Sequence, residues 1–222
     1  MINKIHKIDI HSSFYPKHLA KIMSPPQVLW SAGNLELLVN PGISIVGTRN
    51  ASKAGLVIAK RLAAFVNSKG KATVSGLALG IDTAVHMGSV EIDSPTIAVL
   101  ASGVDIITPR QNISLSRKIL ETGGLIVSEQ PPGTLATKGN YVPRNRIQVG
   151  LSSSSIIVES SVRSGTMTHA RFCFEERHPL FVVMPEEGNP LQLNFSGPEL
   201  LVNELGAIPL YSKNDYKLLM SD

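Results

Sequence analysis

Short runs of consecutive apolar residues, many of them β-branched, recur along this chain between longer stretches with helical spacing. Six runs stand out: Ile43–Gly47, Ala72–Gly76, Thr96–Leu100, Leu125–Ser128, Ser155–Glu159 and Leu180–Met184. Runs without polar alternation are typical of strands buried on both faces of a parallel sheet. The pattern therefore predicts six central strands.

The stretches between these runs predict helices. Apolar residues from Leu56 to Val66 recur at helical spacing, and Gly70 follows as a stop signal. Further helices are expected at about 80–90, 111–122, 144–152, 165–177 and 198–205. Alternation of strands and helices indicates an α/β fold with a doubly wound, mostly parallel sheet and helices on both faces.

Two segments depart from the alternation. Residues 1–40 are divided into short pieces by Pro25-Pro26 and Gly33-Asn34, with Pro41-Gly42 directly after them. We interpret them as an N-terminal lead-in packed on a core domain of residues 41–222. Residues 130–143 contain several prolines and glycines and predict a long ordered loop, a kind of connection that often carries function.

Composition limits the classes of protein that need to be considered. The net charge is +4, an excess that suits an anionic partner without proving one. The single cysteine, Cys173, excludes an internal disulfide framework, and we expect it to pack as a small hydrophobe. No apolar run reaches the roughly 18 residues of a membrane span, and the N-terminus lacks a secretory h-region. We expect a cytoplasmic protein with no membrane partner.

Three glycine turns are predicted at the carboxyl ends of strands, where open α/β sheets bind ligands. They are Gly47-Thr48-Arg49, Ser75-Gly76 to Gly80, and Ser164-Gly165-Thr166. Each precedes a predicted helix, whose free N–H groups can hold a phosphate. For one turn alone, the steric need for glycine is an equally good explanation. Three turns at one sheet edge, accompanied by Arg49, Arg144, Arg146 and Arg163, favour an anion site.

Other chemistry is poorly supported. Neither GxGxxG nor GxxxxGK[ST] occurs, and the histidines lack the spacing of metal ligands, so we expect no cofactor and no metal. Asp82 and His86 share a helix face, where local order is favoured over ligand contact. Glu129 and Glu159 each end a strand. They are either an acid–base pair or, as we favour, carboxylates that hold loops through backbone N–H groups.

Tyr141 lies near Lys138, Arg144 and Arg146 in the sequence. An aromatic ring among cations suits base stacking on a single nucleic-acid strand. The alternative is that Tyr141 attaches the predicted loop to the core.

With these residues in view, the chain resembles the DNA-processing protein A family (DprA, also called Smf) over residues 14–210. The resemblance is carried by a series of ordered motifs: Tyr15-Pro16, Pro25–Leu29, Ile45–Arg49, Ser75–Asp82 with His86, Ile97–Asp105, Pro109, Asn112, Ser128-Glu129, Pro131–Gly133, Pro143–Ile147, Gly150–Ser152, Val158-Glu159, Arg163–Thr166 with Thr168 and Ala170, and Leu205–Ala207. So many motifs in one order make a chance match improbable.

The resemblance implies an extended Rossmann-like fold that binds single-stranded DNA, forms a homodimer and helps to load a RecA-type recombinase during natural transformation. It implies a binding role without catalysis. The candidate DNA and phosphate site then consists of Gly47, Thr48, Arg49, Ser75, Gly76, Gly80, Lys138, Gly139, Tyr141, Arg144, Asn145, Arg146, Arg163, Ser164, Gly165 and Thr166. If about four of its cations meet phosphates, the logarithm of affinity should fall against that of salt with a slope near −3.

The dimer is expected to use the broad apolar face of residues 199–205, although that helix has the alternative role of covering the sheet. We expect a form consisting mainly of the Rossmann-like core, because the chain is too short for the helical or winged-helix domains that many members carry. Thr108 also departs from the family, which commonly has an aromatic residue there.

Two other functions stay open. The Lonely-Guy-type nucleoside monophosphate phosphoribohydrolases resemble the core and carry a PGGxGTxxE motif. Here the motif reads Arg163–Thr166 with His169 in place of the glutamate, so the acid–base group is missing. A sensor that binds a free nucleotide in the same pocket is the other alternative.

Overall fold

The computed structural model describes residues 4–220, so the first three residues, which entered the expectation of no secretory leader, lie outside it. Its strands are β1 (His6–Asp9), β2 (Val28–Gly33), β3 (Gly42–Val46), β4 (Thr73–Ser75), β5 (Thr96–Leu100), β6 (Leu125–Ser128), β7 (Ser152–Ile157), β8 (Leu180–Val183) and β9 (Ile208–Leu210). They form one nine-stranded sheet in the order β1-β2-β6-β5-β4-β3-β7-β8-β9. The two pairings of β2 are antiparallel, and the pairings among β3 to β9 are parallel.

Helices cover both faces of this sheet. They are α1 (Lys53–Ser68), α2 (Ile81–Val90), α3 (Ile113–Glu121), α4 (Lys138–Gly150), α5 (Thr166–Glu175) and α6 (Ser196–Leu205). Short 3₁₀ turns lie at Leu19–Lys21, Leu35–Leu38, Arg110–Asn112 and Lys213–Met220. The α/β, doubly wound architecture predicted from the alternation is confirmed.

Strand side chains alternate between two buried layers. In β5, Ile97 and Val99 pack towards α4, whereas Ala98 and Leu100 pack towards α3. All four are almost completely buried. Burying an Ile, Leu or Val side chain contributes about 1.5–3 kcal/mol, which explains why these strands have uninterrupted apolar sequences.

The strand β7 begins earlier than its apolar pattern predicts. The structure starts it at Ser152, and hydrogen bonds from the first two serine hydroxyls help to accommodate the polar run in the sheet. Ser152 Oγ donates to the Gln148 carbonyl at 2.8 Å, and Ser153 Oγ donates to that of Gly42 at 3.2 Å.

The lead-in packs on the core and also contributes two strands to its sheet. Its strands β1 and β2 extend the same sheet beyond β6, with Trp30 opposite Ser128. Leu19 is fully buried against Ile147 of α4, and the Tyr15 hydroxyl donates to the Pro26 carbonyl at 2.7 Å. The sequence pattern missed both strands because they lie among turn residues, and β1 is only four residues long. A domain boundary at residue 40 stays a prediction.

The predicted loop of residues 130–143 is wrong in its second half. Helix α4 already begins at Lys138 and continues through Pro143. A proline inside a helix removes the hydrogen bond to the carbonyl four residues earlier, and this favoured the loop prediction. Here the proline lies close to the start of the helix, and the connection from β6 is correspondingly shorter.

Candidate nucleic-acid site

A cavity of about 440 Å³ opens at the carboxyl ends of β3, β4 and β7. It is lined by Val46, Gly47, Thr48, Arg49, Ala78, Asp82, Tyr141, Val142, Arg144, Asn145, Gln148, Ser164, Gly165, Thr166 and His169. All three predicted glycine turns contribute to its walls, the second through Ala78, and α4 closes one side. The cavity therefore lies at the sheet edge where the glycine turns predicted a ligand site.

The turn after β3 is fixed by its neighbours. The Thr48 N–H donates to the Glu159 carbonyl at 2.8 Å, and the Ile81 N–H donates to the Thr48 carbonyl at 3.2 Å. Gly80 has a φ of +77° and lies directly against the carbonyls of Thr48 and Arg49, so a side chain would both strain and collide. Gly80 shapes the turn without lining the cavity.

Arg49 projects from this turn into solvent. Its guanidinium carbon lies 5.1 Å from the centroid of the Tyr141 ring, a cation–π arrangement. Tyr141 is half-buried on α4. The two side chains present a positive charge and an aromatic ring together at the mouth of the cavity.

The start of α5 supplies hydrogen-bond donors to the cavity. Among the described residues, the N–H groups of Gly165 and Thr166 have no hydrogen-bond partner. The buried Ser164 hydroxyl likewise has none within residues 4–220. Free N–H groups at the positive end of a ten-residue helix suit an anion, and the phosphate contact at this turn stays a prediction.

Arg144 forms part of the cavity floor instead of its rim. Its side chain is buried, and its guanidinium lies so close to Gly76 that an added Cβ would overlap Nη1. With its oxygen facing Arg144, the Gln148 amide accepts from Nη1 at 2.9 Å and from the Gly76 N–H at 3.0 Å. Nε finds no partner in the part of the chain described.

Asp82 balances the charge of this arginine. Its carboxylate accepts from the Gly76 N–H at 3.1 Å. Burial raises the pKa of Asp82, and the charge of Arg144 acts against that rise. Burial likewise lowers the pKa of Arg144, opposed by the charge of Asp82. The floor is therefore polar but close to electroneutral, and the excess positive charge lies at the rim.

His169 lines the same cavity as a neutral side chain. Burial lowers its pKa to about 3, helped by His178 and Arg144. His169 Nε2 and His178 Nε2 both lie within hydrogen-bond distance of Ser155 Oγ, at 3.0 and 3.1 Å. His169 Nδ1 has no partner among residues 4–220. An imidazole at this position cannot replace a carboxylate as an acid at neutral pH.

Arg146 does not reach the cavity. It forms a two-point ion pair with Glu129, at 2.6 and 3.0 Å, and its Nε donates to the Ser24 carbonyl at 2.7 Å. Ser75 also has a structural role, since its hydroxyl donates to the Ile45 carbonyl at 2.7 Å. Lys138, Gly139 and Arg163 are exposed and lie outside the cavity lining.

The two strand-end glutamates are not an acid–base pair. Glu159 is fully buried and accepts from the N–H groups of Ser52 and Asn194, each at 2.9 Å. Glu129 is held by Arg146, and three strands separate β6 from β7. The loop-holding interpretation is confirmed for Glu159.

Local order also explains two other candidates. His86 Nδ1 lies 2.9 Å from Thr96 Oγ1 in the interior, and Cys173 is completely buried among apolar side chains of α5 and α6. Sequence reasoning missed Gln148, although its position one turn beyond Arg144 indicated that the two share a face.

The fold defines a Rossmann-like protein, and the candidate anion site lies at the carboxyl edge of its sheet. The chain belongs to the DNA recombination-mediator protein A family, whose model matches residues 6–219. Protein Smf from Synechocystis sp. is 35% identical over 224 residues, which cover 94% of this chain and 56% of that protein. The chain thus spans little more than half the length of that relative.

Solved structures agree with the assignment. DNA processing protein A (DprA) from Streptococcus pneumoniae has a TM-score of 0.86 and 32% identity, covering 98% of this chain and 75% of that one. The same protein from Helicobacter pylori, whose structure concerns its single-stranded DNA binding mode, has a TM-score of 0.85 and 26% identity, with coverages of 98% and 96%. The predicted family and extended Rossmann-like fold are confirmed.

Across residues 4–220, none of the helices has both the length and the apolar character needed to cross a bilayer.

Proposed function

We propose that this protein binds single-stranded DNA at the cavity between the β3 turn and the start of α5. The observation that carries the proposal is the pairing of unpartnered N–H donors at α5 with the exposed Arg49–Tyr141 pair. The donors suit a phosphate, and the aromatic ring beside a cation suits a stacked base.

The relatives support the same assignment. The Helicobacter pylori structure at 26% identity concerns single-stranded DNA binding, and the family is described as a recombination mediator. A recombination mediator acts together with a recombinase, so a RecA-type recombinase is the partner that we propose. Natural transformation is the process that we propose for this pair.

We expect single-stranded DNA to bind more tightly than duplex, because the cations lie on loops and helix ends and the Tyr141 ring suits stacking on an unpaired base. Arg146 is engaged by Glu129, and Arg144 is balanced by Asp82. The exposed cations at the site are then Arg49, Lys138 and Arg163. Three phosphate contacts give a slope of about −2 for log affinity against log salt, shallower than the −3 expected from the sequence.

A salt titration of fluorescence anisotropy with single strands and matched duplexes measures both quantities. Binding that does not depend on salt, or equal affinity for duplex, would contradict the proposal. The alternatives give distinct results in the same assay. A nucleotide sensor binds one mononucleotide as tightly as a long strand, and a phosphoribohydrolase releases free base from a nucleoside monophosphate.

We propose that the protein is a binding module and not a hydrolase. Glu129 and Glu159 are both engaged in structural contacts, and the one histidine lining the cavity is neutral near pH 7. Among the cavity-lining residues, this leaves Asp82 as the one carboxylate, and it is buried beside a backbone N–H and Arg144.

We propose a homodimer that uses the end of α6 and the edge strand β9. Leu201 of α6 is buried on the sheet, which supports the covering role of this helix. Leu205 and Ile208 nevertheless remain 38% and 41% exposed next to one another in the chain. Light scattering at micromolar concentration should give about twice the chain mass of 23.8 kDa, and a monomeric mass would exclude the dimer.

A further inference from the structure

A second cavity lies beyond the carboxyl ends of β8 and β9, and it shares no lining residue with the candidate DNA site. Its volume is about 450 Å³, which is in the range of sites that bind small organic molecules. Its walls are formed by α1, the loop that follows β8 and the segment that follows β9. Open α/β sheets bind ligands at this edge, so the position is that of a ligand site.

The floor of this second cavity is apolar and belongs to the core of the protein. Val183, Leu193 and Leu210 line it, and all three are buried in one hydrophobic cluster. Ile58 of α1 adds a further apolar wall. A ligand that fills the space therefore needs an apolar body, because a fully polar one would lose its hydration against these side chains.

Hydrogen bonds within the protein hold the walls in place. The Asn189 side chain closes the loop after β8, donating to the Leu193 carbonyl at 3.0 Å and accepting from the Leu193 N–H at 2.9 Å. On the other wall, the Asp215 carboxylate accepts from the N–H groups of Tyr211 and Ser212, at 2.9 and 2.8 Å. The cavity is thus preformed, and a ligand need not order its walls.

Polar groups converge on one side of this apolar space. Arg61 and Lys213 are the two cations on the lining, and neither forms an ion pair within residues 4–220. Tyr216 lies beside them, 9% exposed, with its ring held against Phe65 at a centroid distance of 5.4 Å. Burial raises the pKa of Tyr216 and the charge of Arg61 opposes that rise, so the guanidinium and the phenol face a common space.

The charge balance of the lining selects the kind of anion. Glu186 is the one carboxylate among the lining residues, so two cations and one anion leave a net charge of +1. This charge balances a monoanion, whereas a phosphate dianion would remain overcompensated beside Glu186. A guanidinium also presents paired N–H groups that match the two oxygens of a carboxylate.

We propose that this cavity binds an organic carboxylate with an apolar body, such as an aryl-substituted or branched-chain acid. Arg61 and the Tyr216 hydroxyl donate to the carboxylate, and Lys213 adds a second positive charge at the rim. The apolar body lies on Val183, Leu193 and Leu210. This site is separate from the proposed DNA site and does not depend on it.

Isothermal calorimetry with hydrocinnamate and isocaproate as probes measures the binding. Hydrocinnamyl alcohol is the neutral counterpart of the first probe, and acetate supplies the carboxylate without the apolar body. We expect saturable binding of at least one of the two acids in the millimolar range or tighter. The alcohol should bind at least about tenfold more weakly than its acid, since it lacks the charge-assisted hydrogen bonds. Acetate should not bind measurably.

Two variants remove the proposed donors without filling the cavity. Arg61→Gln should weaken binding of the acid about tenfold or more, and Tyr216→Phe about twofold to tenfold, because the second removes a neutral donor and keeps the ring. Arg117→Gln is the matched control, since Arg117 is exposed on α3 and does not line this cavity. Circular dichroism checks the fold of each variant before affinities are compared.

Binding of neither acid, equal affinity for the acid and its alcohol, or unchanged affinity in both folded donor variants would overturn the carboxylate site. The affinity for single-stranded DNA should be the same in all three variants. A protein that binds the acid but no single strand would overturn the proposed DNA function alone, and the reverse result would overturn the carboxylate site alone.

Discussion

Replacing Arg49 with alanine should weaken single-stranded DNA binding by about tenfold to a hundredfold and leave the fold intact. Arg49 is exposed, and its side chain contacts the Tyr141 ring through a cation–π interaction. Its loss removes one charge-assisted phosphate contact, worth about 1.5–3 kcal/mol, together with the partner that orients the ring. Anisotropy titration at fixed salt measures the change.

Lys118→Ala is the matched control, since it removes the same charge from α3 at an exposed residue that does not line the cavity. Lys138→Ala should fall between the two, because Lys138 is exposed at the start of α4, one turn before Tyr141. Unchanged affinity in a folded Arg49→Ala protein would show that the DNA lies elsewhere.

Mild acid should destabilise the protein strongly. Burial lowers the pKa of both His86 and His169 to about 3 from an ordinary value of 6.5. Below pH 6.5 the two histidines therefore become protonated in the unfolded chain but stay neutral in the folded protein. The contribution of the two neutral histidines to the free energy of unfolding is complete above pH 6.5 and is lost as the pH falls towards 3. Each histidine costs about 1.4 kcal/mol per pH unit in this window.

Asp82 acts in the opposite direction, because burial raises its pKa and its protonation favours the folded state at lower pH. The net loss is thus best measured between pH 6.5 and 5, by urea unfolding. The His86→Asn variant should have a lower free energy of unfolding at pH 7. Its free energy of unfolding should also fall less steeply as the pH decreases, because one of the two buried histidines has been removed. A free energy of unfolding that does not change between pH 7 and 5 would contradict this expectation.

The sequence predicted the central sheet well because its strands are buried on both faces. Thr96–Leu100 and Leu125–Ser128 match the structure at both ends. Where the strands belong to the antiparallel end of the sheet, as β1 and β2 do, the apolar signal is weak and the pattern missed the strands. In α4 the proline and glycine suggested a break that the surrounding contacts do not require.

The glycine turns were found for a sound reason, since a close approach of backbone to ligand needs them. The arginines of α4 were harder to place. Arg144 and Arg146 are two residues apart, so they point to nearly opposite sides of a helix. The helix predicted over residues 144–152 separates the two by its periodicity, but the family resemblance assigns both to DNA. The ion pair with Glu129 depends on a tertiary contact that no local pattern shows.

Residues on opposite sides of helix α4 connect the lead-in to the cavity. Arg146 fastens one side of the helix to Ser24 of the lead-in and to Glu129, while Tyr141 and Arg144 present its other side to the cavity. The contacts of Arg146 therefore help to set the orientation of α4 relative to the cavity. Ser24 of the lead-in therefore helps to set the positions of the Tyr141 ring and the buried Arg144 guanidinium in the cavity.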